Sequence, residues 1–456
     1  MTGILLARYK QEKLANLQAN TRLTFPLEEE IETKLPIRQE VSNNNKNKLF
    51  DEDRAVHDWF RFVLSFPPHI VRNYLEDWGI DECKRVLDPF CGTGTTVIQC
   101  KMHGIPSIGI EANPMAHFAS ATKTDWGIAP KELLRTAEEI MEAAQAQIGH
   151  EALCFRTLPP DAEDLLLTDS ISPLPLHKVL VLRECIERKA DRSRLPHLWL
   201  ALAKIAVGTA SNLKFGPEVG IGAKKKDAPV LEAWYETVKA IADDIEPLRG
   251  LSVVPAVMIH ADARQARQRI SDGSIDAVFT SPPYPNEKDY SRTTRLETVL
   301  LGFANNKKEL RQIKKGLLRS NTRGVYKEDD DDYWVKDFPV VQELANTIEK
   351  RRIELGKTSG FERLYGRVTK LYFGGMARHL SDIRPLLRPG ARLGYVVGDQ
   401  ASYLRVMIRT GEVLAEIAVS LGYEVVSIDL FRTRLATATK EMMKEEVVIL
   451  EWPGMQ

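Results

Sequence analysis

The chain has 456 residues, with 63 basic and 63 acidic side chains and 43% hydrophobic content. That length supports a large core and two lobes. The charge balance excludes a uniformly basic nucleic-acid coat but not a local basic cleft, and no apolar stretch is long enough to span a bilayer.

Residues 1–50 are polar and end in Ser42-Asn43-Asn44-Asn45-Lys46-Asn47-Lys48, the composition of a flexible arm. They lack the apolar segment of a secretory signal, so the cytoplasm is the expected compartment. His57 to Trp78 is aromatic-rich, and Pro67-Pro68 opens an expected helix, proline being suited to a first turn. Arg85–Phe90 and Ser107–Ala112 read as parallel strands. Residues 51–122 are thus the first part of an α/β domain. Residues 123–255 read as a mainly helical insertion, with helices over Lys131–Gln147, Leu198–Ala210 and Leu231–Ile245 and a Gly- and Lys-rich loop carrying Lys224 and Lys225.

The α/β pattern resumes over 256–289 with strands Val257–Ala261 and Asp276–Thr280. A second insertion, 290–375, carries Arg311, Lys314, Lys315, Arg319 and Arg323 with no acid among them, then Glu328-Asp329-Asp330-Asp331-Asp332. Residues 376–456 complete the domain. Arg392–Gly398 is a fifth strand, Tyr403–Leu421 a helix stopped by Gly422, and Glu424–Phe431 with Glu445–Trp452 a closing hairpin.

The five cysteines, Cys83, Cys91, Cys100, Cys154 and Cys185, form no CxxC pair and show no metal-ligand spacing. Free thiols and no metal are expected. No cysteine follows a proline.

Two strand-end loops carry the chemistry. Asp88-Pro89-Phe90-Cys91-Gly92-Thr93-Gly94-Thr95 joins a strand to a helix through a glycine turn, where Gly92 and Gly94 let the backbone approach a ligand that a Cβ would block. A dinucleotide loop would want Gly or Ala where Val97 stands, and Asp88 would repel a pyrophosphate. Ser281-Pro282-Pro283-Tyr284 follows another apolar strand. Such loops share one edge of a parallel sheet, where α/β folds bind ligands.

With these motifs in register, the chain resembles the DNA amino-methyltransferases over roughly Val56–Ala121 and Val257–Trp452. The resemblance implies a class I methyltransferase (Rossmann-like) sheet, mostly parallel with an antiparallel C-terminal hairpin, interrupted by the two helical insertions. It implies S-adenosylmethionine as cofactor, held by Phe66 and Pro67 beside the methionine half and by Asp88, Pro89, Phe90, Gly92, Gly94 and Thr95 at the glycine loop. Glu111, with Ala112, would accept the ribose hydroxyls; Asp262, with Ala263, would receive the adenine amine.

The Ser281 hydroxyl and Pro282 carbonyl would draw an exocyclic amine toward tetrahedral geometry, Pro283 would hold the loop rigid, and Tyr284 would stack on a flipped base. A leading Ser leans toward cytosine N4, with adenine N6 as the alternative. Cytosine-C5 chemistry would need a Pro-Cys step, which is missing. Double-stranded DNA is the expected partner, with a cognate restriction endonuclease and no membrane. Lys224, Lys225, Lys288, Arg292, Lys314, Lys315 and Arg319 are the candidate nucleic-acid contacts, and residues 123–255 the candidate target-recognition region. An RNA amino-methyltransferase and an inactive DNA-binding subunit are the rivals.

Overall fold

The computed structural model describes residues 49–62, 65–151, 154–216, 218–286, 289–435 and 441–454. Its strands are β1 (Val86–Asp88), β2 (Ser107–Glu111), β3 (Leu213–Phe215), β4 (Val219–Ile221), β5 (Ala256–His260), β6 (Ile275–Thr280), β7 (Leu387–Gly398), β8 (Glu424–Leu435) and β9 (Met442–Trp452). Seven of them form one sheet in the order β5-β2-β1-β6-β7-β9-β8, and β3 pairs β4 as a separate hairpin. β5, β2, β1, β6 and β7 run parallel. β9 is antiparallel to both β7 and β8. This is the class I methyltransferase sheet expected from the sequence. The chain leaves β1 in one direction for β2 and β5, and later in the other for β6 and β7. The crevice beyond the ends of β1 and β6 is therefore the topological switch point, where such sheets bind ligands.

The principal helices are α1 (Pro68–Asp77), α2 (Thr95–Met102), α3 (Pro114–Lys123), α4 (Pro130–His150), α5 (Pro173–Lys189), α6 (Leu195–Ile205), α7 (Val230–Leu248), α8 (Lys307–Gly316), α9 (Pro339–Glu354), α10 (Tyr365–Ile383) and α11 (Thr410–Ser420). Local chemistry sets several of their starts. Pro68 opens α1. Asn113 caps α3 by accepting from Met115 N at 3.0 Å, with Pro114 next. Asn306 caps α8 by accepting from Lys308 N and Glu309 N.

The first insertion buries its own apolar core around Trp126, Trp234 and the inner faces of α4 to α7, and takes in Leu296, Val299 and Leu300 from the second insertion. Asp244 of α7 ties the aromatic segment down, accepting from Val56 N at 2.9 Å and Trp59 Nε1 at 2.7 Å. Among the described residues no helix is long and apolar enough to cross a membrane.

Two features differ from the sequence pattern. The helix expected over Tyr403–Leu421 begins only at Thr410. Tyr403 is fully buried, stacks on Tyr365 at 4.8 Å and donates its hydroxyl to Ser320 O at 2.8 Å. Leu404 and Arg405 turn through positive φ to make that possible. α10 runs through the boundary expected at residue 375 and joins the second insertion to the sheet in one helix.

The join depends on glycine. A Cβ on Gly374 would overlap the Asp331 carbonyl oxygen, and one on Gly375 would overlap Leu318 Cδ1. The acidic run therefore lies directly on the α10 backbone. Gly374→Ala must push it away, because the opposing atom is backbone. We expect a loss of about 1–3 kcal/mol, read by urea denaturation, with weakened cofactor affinity because the same insertion walls the cleft described below.

Candidate active site

The ends of β1, β2, β5 and β6 open into one cleft. Its lining includes Phe62, Ser65 and Phe66, then Pro89 to Thr93 and Thr95, then Glu111, Ala112, Asp262 and Ala263, and finally Ser281 and Pro283. Both expected loops thus reach the same cavity. Pro67, Gly94, Pro282 and Tyr284 are not among the lining residues; Pro67 instead precedes α1 as its extended cap residue.

The two glycines of the loop have different work. Gly92 sits at φ +53 with open space where a Cβ would stand, on the cleft wall. Gly94 sits at φ +94, and its Cβ would lie 3.2 Å from Ser120 Cβ. It permits α2 to pack on α3, not a ligand approach.

Glu111 lines the cleft with both carboxylate oxygens anchored: Oε2 accepts Gly92 N at 2.8 Å and Oε1 accepts Asn113 N at 2.7 Å. Burial pushes its carboxyl up, while those two N–H bonds hold it back. Each oxygen keeps a second lone pair. A vicinal diol fits that pair, and the aromatic wall of Phe62, Phe66 and Phe90 fits the apolar remainder of S-adenosylmethionine.

Asp262 caps the turn after β5 through Arg264 N at 2.9 Å and forms an ion pair with Arg264 Nη2 at 2.6 Å. Arg264 also pairs with Asp331, which Arg378 holds at 3.0 Å. Burial would raise the Asp331 carboxyl, but Arg264 and Arg378 keep it below its ordinary range. The Asp262 end of the cleft is thereby fixed to the second insertion.

Asp88 corrects an expectation. It is completely buried and not on the cleft wall. Its Oδ1 accepts Thr280 Oγ1 at 2.6 Å and Phe90 N at 3.2 Å, so it joins the catalytic loop to the glycine loop from behind. Its Oδ2 has no partner among the described residues. Burial pushes the carboxyl up to about 7 against those hydrogen bonds. A second buried ion works beside it. Lys123 Nζ donates to the carbonyls of Thr93 at 3.0 Å, Phe60 at 3.1 Å and His57 at 3.3 Å, pinning the aromatic segment to the glycine loop. Burial brings that amine down to about 7.

In the catalytic loop, Ser281 Oγ donates to Val396 O at 3.1 Å. The Tyr284 phenol lies in hydrogen-bond reach of the same hydroxyl, and burial raises it. A hydroxyl has one donor and two acceptor positions; the donor is committed, so the Ser281 oxygen is left to act as an acceptor. The Tyr284 ring lies on Gly398, where a Cβ would come within 3.0 Å of Cε2. Pro282 is buried behind Ser281. Cys91 lines the cleft, but burial and the nearby Asp88 and Glu111 hold its thiol far above the ordinary range, so it stays protonated.

The expected nucleic-acid contacts divide. Arg319 is buried, and all five of its N–H groups are taken by Asp329 and by the carbonyls of Lys314, Leu317 and Lys315. It therefore positions the irregular segment after α8 and has no face for phosphate. Lys314 pairs with Asp289 at 2.7 Å, Lys225 donates to Thr209 O at 2.6 Å, and Lys224 pairs with Asp169 at 2.7 Å while remaining exposed. Lys315 is exposed, and Arg292 lies 3.4 Å from Glu218. Lys288 lies outside the described residues.

Sequence reasoning missed the cleft's far wall, Lys314 and Gly316 to Asn321; Asp289 and Tyr290, directly after the Ser281 loop, line the cleft as well. The only signal was the apolar Leu317-Leu318 inside a basic stretch. It missed His379 as well, which is buried with its ring nitrogens at Ala263 O and Tyr395 Oη, edge-on to Phe90.

The family model for DNA methylases matches residues 6–121. The chain is similar to the Type II methyltransferase M.BsoBI of Geobacillus stearothermophilus, 26% identical over 436 residues, covering 86% of this chain and 84% of that protein. It is similar to the Type II methyltransferase M.AvaI of Nostoc sp., 23% identical over 457 residues, covering 95% and 92%. The Type II methyltransferase M.MvaI of Kocuria varians is 21% identical over 288 residues, covering 58% and 62%.

The raised Asp88 carboxyl makes stability depend on pH with a defined sign. The native state disfavours ionisation, so the penalty is absent below the ordinary carboxylate range, grows as pH rises toward about 7 and is complete above it. Asp88→Asn removes this titration. Wild type should therefore lose stability relative to the variant between about pH 4 and pH 7, at roughly 1.4 kcal/mol per pH step of one within that window. Urea unfolding of both proteins across that range measures it; parallel curves would refute the assignment.

Proposed function

We propose that this chain is a DNA amino-methyltransferase that methylates the exocyclic N4 amine of cytosine at a short specific sequence in duplex DNA. Its methyl donor is S-adenosylmethionine, which supplies an electrophilic methyl group on a sulfonium. Glu111 would hold the ribose, Asp262 and Ala263 the adenine, and Phe66, Phe90 and Gly92 the remainder. Asp88, buried behind the glycine loop, would position that loop and leave the cofactor untouched.

The observation that carries the reading is the committed Ser281 hydroxyl. Because its proton goes to Val396 O, its oxygen accepts one amine N–H, while the Pro282 carbonyl would accept the other. Two acceptors pull the nitrogen lone pair out of conjugation with the ring and aim it at the methyl carbon. Bound S-adenosylmethionine would supply the methyl group to that nitrogen, and the proton the amine loses would pass to solvent at the cleft mouth. No thiolate takes part, in keeping with the protonated Cys91. Tyr284, backed by Gly398, would stack on the base after it swings out of the duplex. Ser at the head of the loop favours the pyrimidine. The first insertion would read sequence, a cognate endonuclease would cut unmodified sites, and the cytoplasm would be the compartment.

Nucleoside mass spectrometry of DNA from a host expressing the chain decides the product. N4-methylcytosine is expected; N6-methyladenine alone would refute the cytosine assignment, and methyl found only in RNA would refute the DNA substrate too. Tyr284→Ala should cut turnover by the factor that about 1–3 kcal/mol of stacking represents, with cofactor affinity by calorimetry unchanged. Tyr284→Phe, which keeps the ring, should lose less.

A further inference from the structure

A second recess adjoins the cofactor cleft. Asp289 and Lys314 line both, so a single ion pair is the partition between them. The recess is walled by Arg292, Arg295 and Arg323 and by Leu165 and Val219 of the first insertion. Most of its charge is already committed. Lys314 and Asp289 neutralise each other at 2.7 Å. Arg295 donates to Ser291 O and Ser291 Oγ, each at 3.1 Å. Arg292 and Arg323 differ: each is partly exposed, and both point at one atom, Glu218 Oε2, at 3.4 Å and 3.8 Å.

Those distances are long for ion pairs, and Glu218 is 54% exposed, so the contacts hold weakly. The geometry is one anionic oxygen between two guanidinium groups, the arrangement in which arginines take phosphate. Glu218 stands immediately before β4, on the small hairpin of the first insertion. Arg292 and Arg323 belong to the second insertion.

We propose that Arg292 and Arg323 form the seat for one phosphodiester of the target strand, and that Glu218 fills this seat until DNA displaces it. The inference rests on the reading of the chain as a DNA methyltransferase. A nucleotide whose base reaches Ser281 leaves its backbone at the cleft mouth, where the Asp289–Lys314 pair divides cleft from recess. An incoming phosphate carries the same charge as Glu218 and more acceptor oxygens, so it replaces the carboxylate at both arginines. Displacing Glu218 also releases the β3–β4 hairpin from the second insertion, so DNA arrival is coupled to the position of the first.

The test uses the full chain and a mixed-sequence duplex, with binding followed by fluorescence anisotropy over a range of salt. Arg292→Ala with Arg323→Ala should lower the log–log salt slope by about one, the loss of one phosphate contact. Glu218→Gln, isosteric and exposed, should bind the duplex severalfold more tightly than wild type at every salt. Calorimetry with S-adenosylmethionine on each variant reports that the cofactor site has folded. Transfer of labelled methyl from wild type to unmethylated plasmid DNA checks the underlying reading: its absence overturns that reading and the seat with it. Transfer by wild type, combined with an unchanged slope in the arginine variant or no tightening in Glu218→Gln, overturns the seat alone.

Discussion

A carboxyl group sealed inside the sheet, Asp88, sets the distance between the two loops on which everything else depends. It accepts the Thr280 hydroxyl from the strand that delivers Ser281, and the Phe90 N–H from the loop that faces the cofactor. An unpartnered buried oxygen costs free energy, and the protein tolerates it at Oδ2. Such a cost is retained where geometry matters more than stability. Lys123 makes the complementary link, committing its ammonium to three carbonyls that belong to the glycine loop and the aromatic segment. Between them, one acid and one base hold three separate pieces of chain around the cleft.

The outer wall depends on a different device. Arg264 lies between Asp262 and Asp331, and Asp331 lies between Arg264 and Arg378. Breaking one partner of such a buried chain strands the others, which costs far more than the pair contributes. The close approach at Gly374 and Gly375 sets how deep Asp331 can sit. The second insertion is thus locked to the Asp262 end of the cleft, and its Lys314 and Arg319 neighbourhood walls the cleft rather than reaching outward.

What was legible in the sequence follows from this division. The sheet and both loops could be read because their signals are local: apolar runs, a glycine turn, a Pro-Pro step. Glu111, Asp262 and Ser281 could be placed because each ends a strand, and strand ends share an edge. The wall from Lys314 to Asn321 could not, since nothing local tells that a segment returns to a site formed by residues roughly 200 positions away. Arg319 was misread for the same reason: its partner Asp329 lies in the acidic run that follows, and nothing in the sequence pairs the two. The helix expected from Tyr403 lost its first turns to tertiary packing, where burying Tyr403 against the half-buried Tyr365 outweighed the helical pattern.

The balance of 63 basic against 63 acidic residues takes on a meaning here that composition alone could not supply. In the second insertion several charges are spent inside the protein: Arg319 on Asp329, Lys314 on Asp289, and Asp331 on Arg264 and Arg378. A basic stretch therefore says little about nucleic acid until its partners are known. The cations that matter for an anionic ligand are those whose partners are weak, exposed and on another element. Arg292 and Arg323 meet that description, because the acid between them sits on a two-stranded hairpin at the edge of the first insertion. An electrically neutral chain can in this way present a local seat for a polyanion at the mouth of its active site, while its internal pairs keep the same charge type available for architecture.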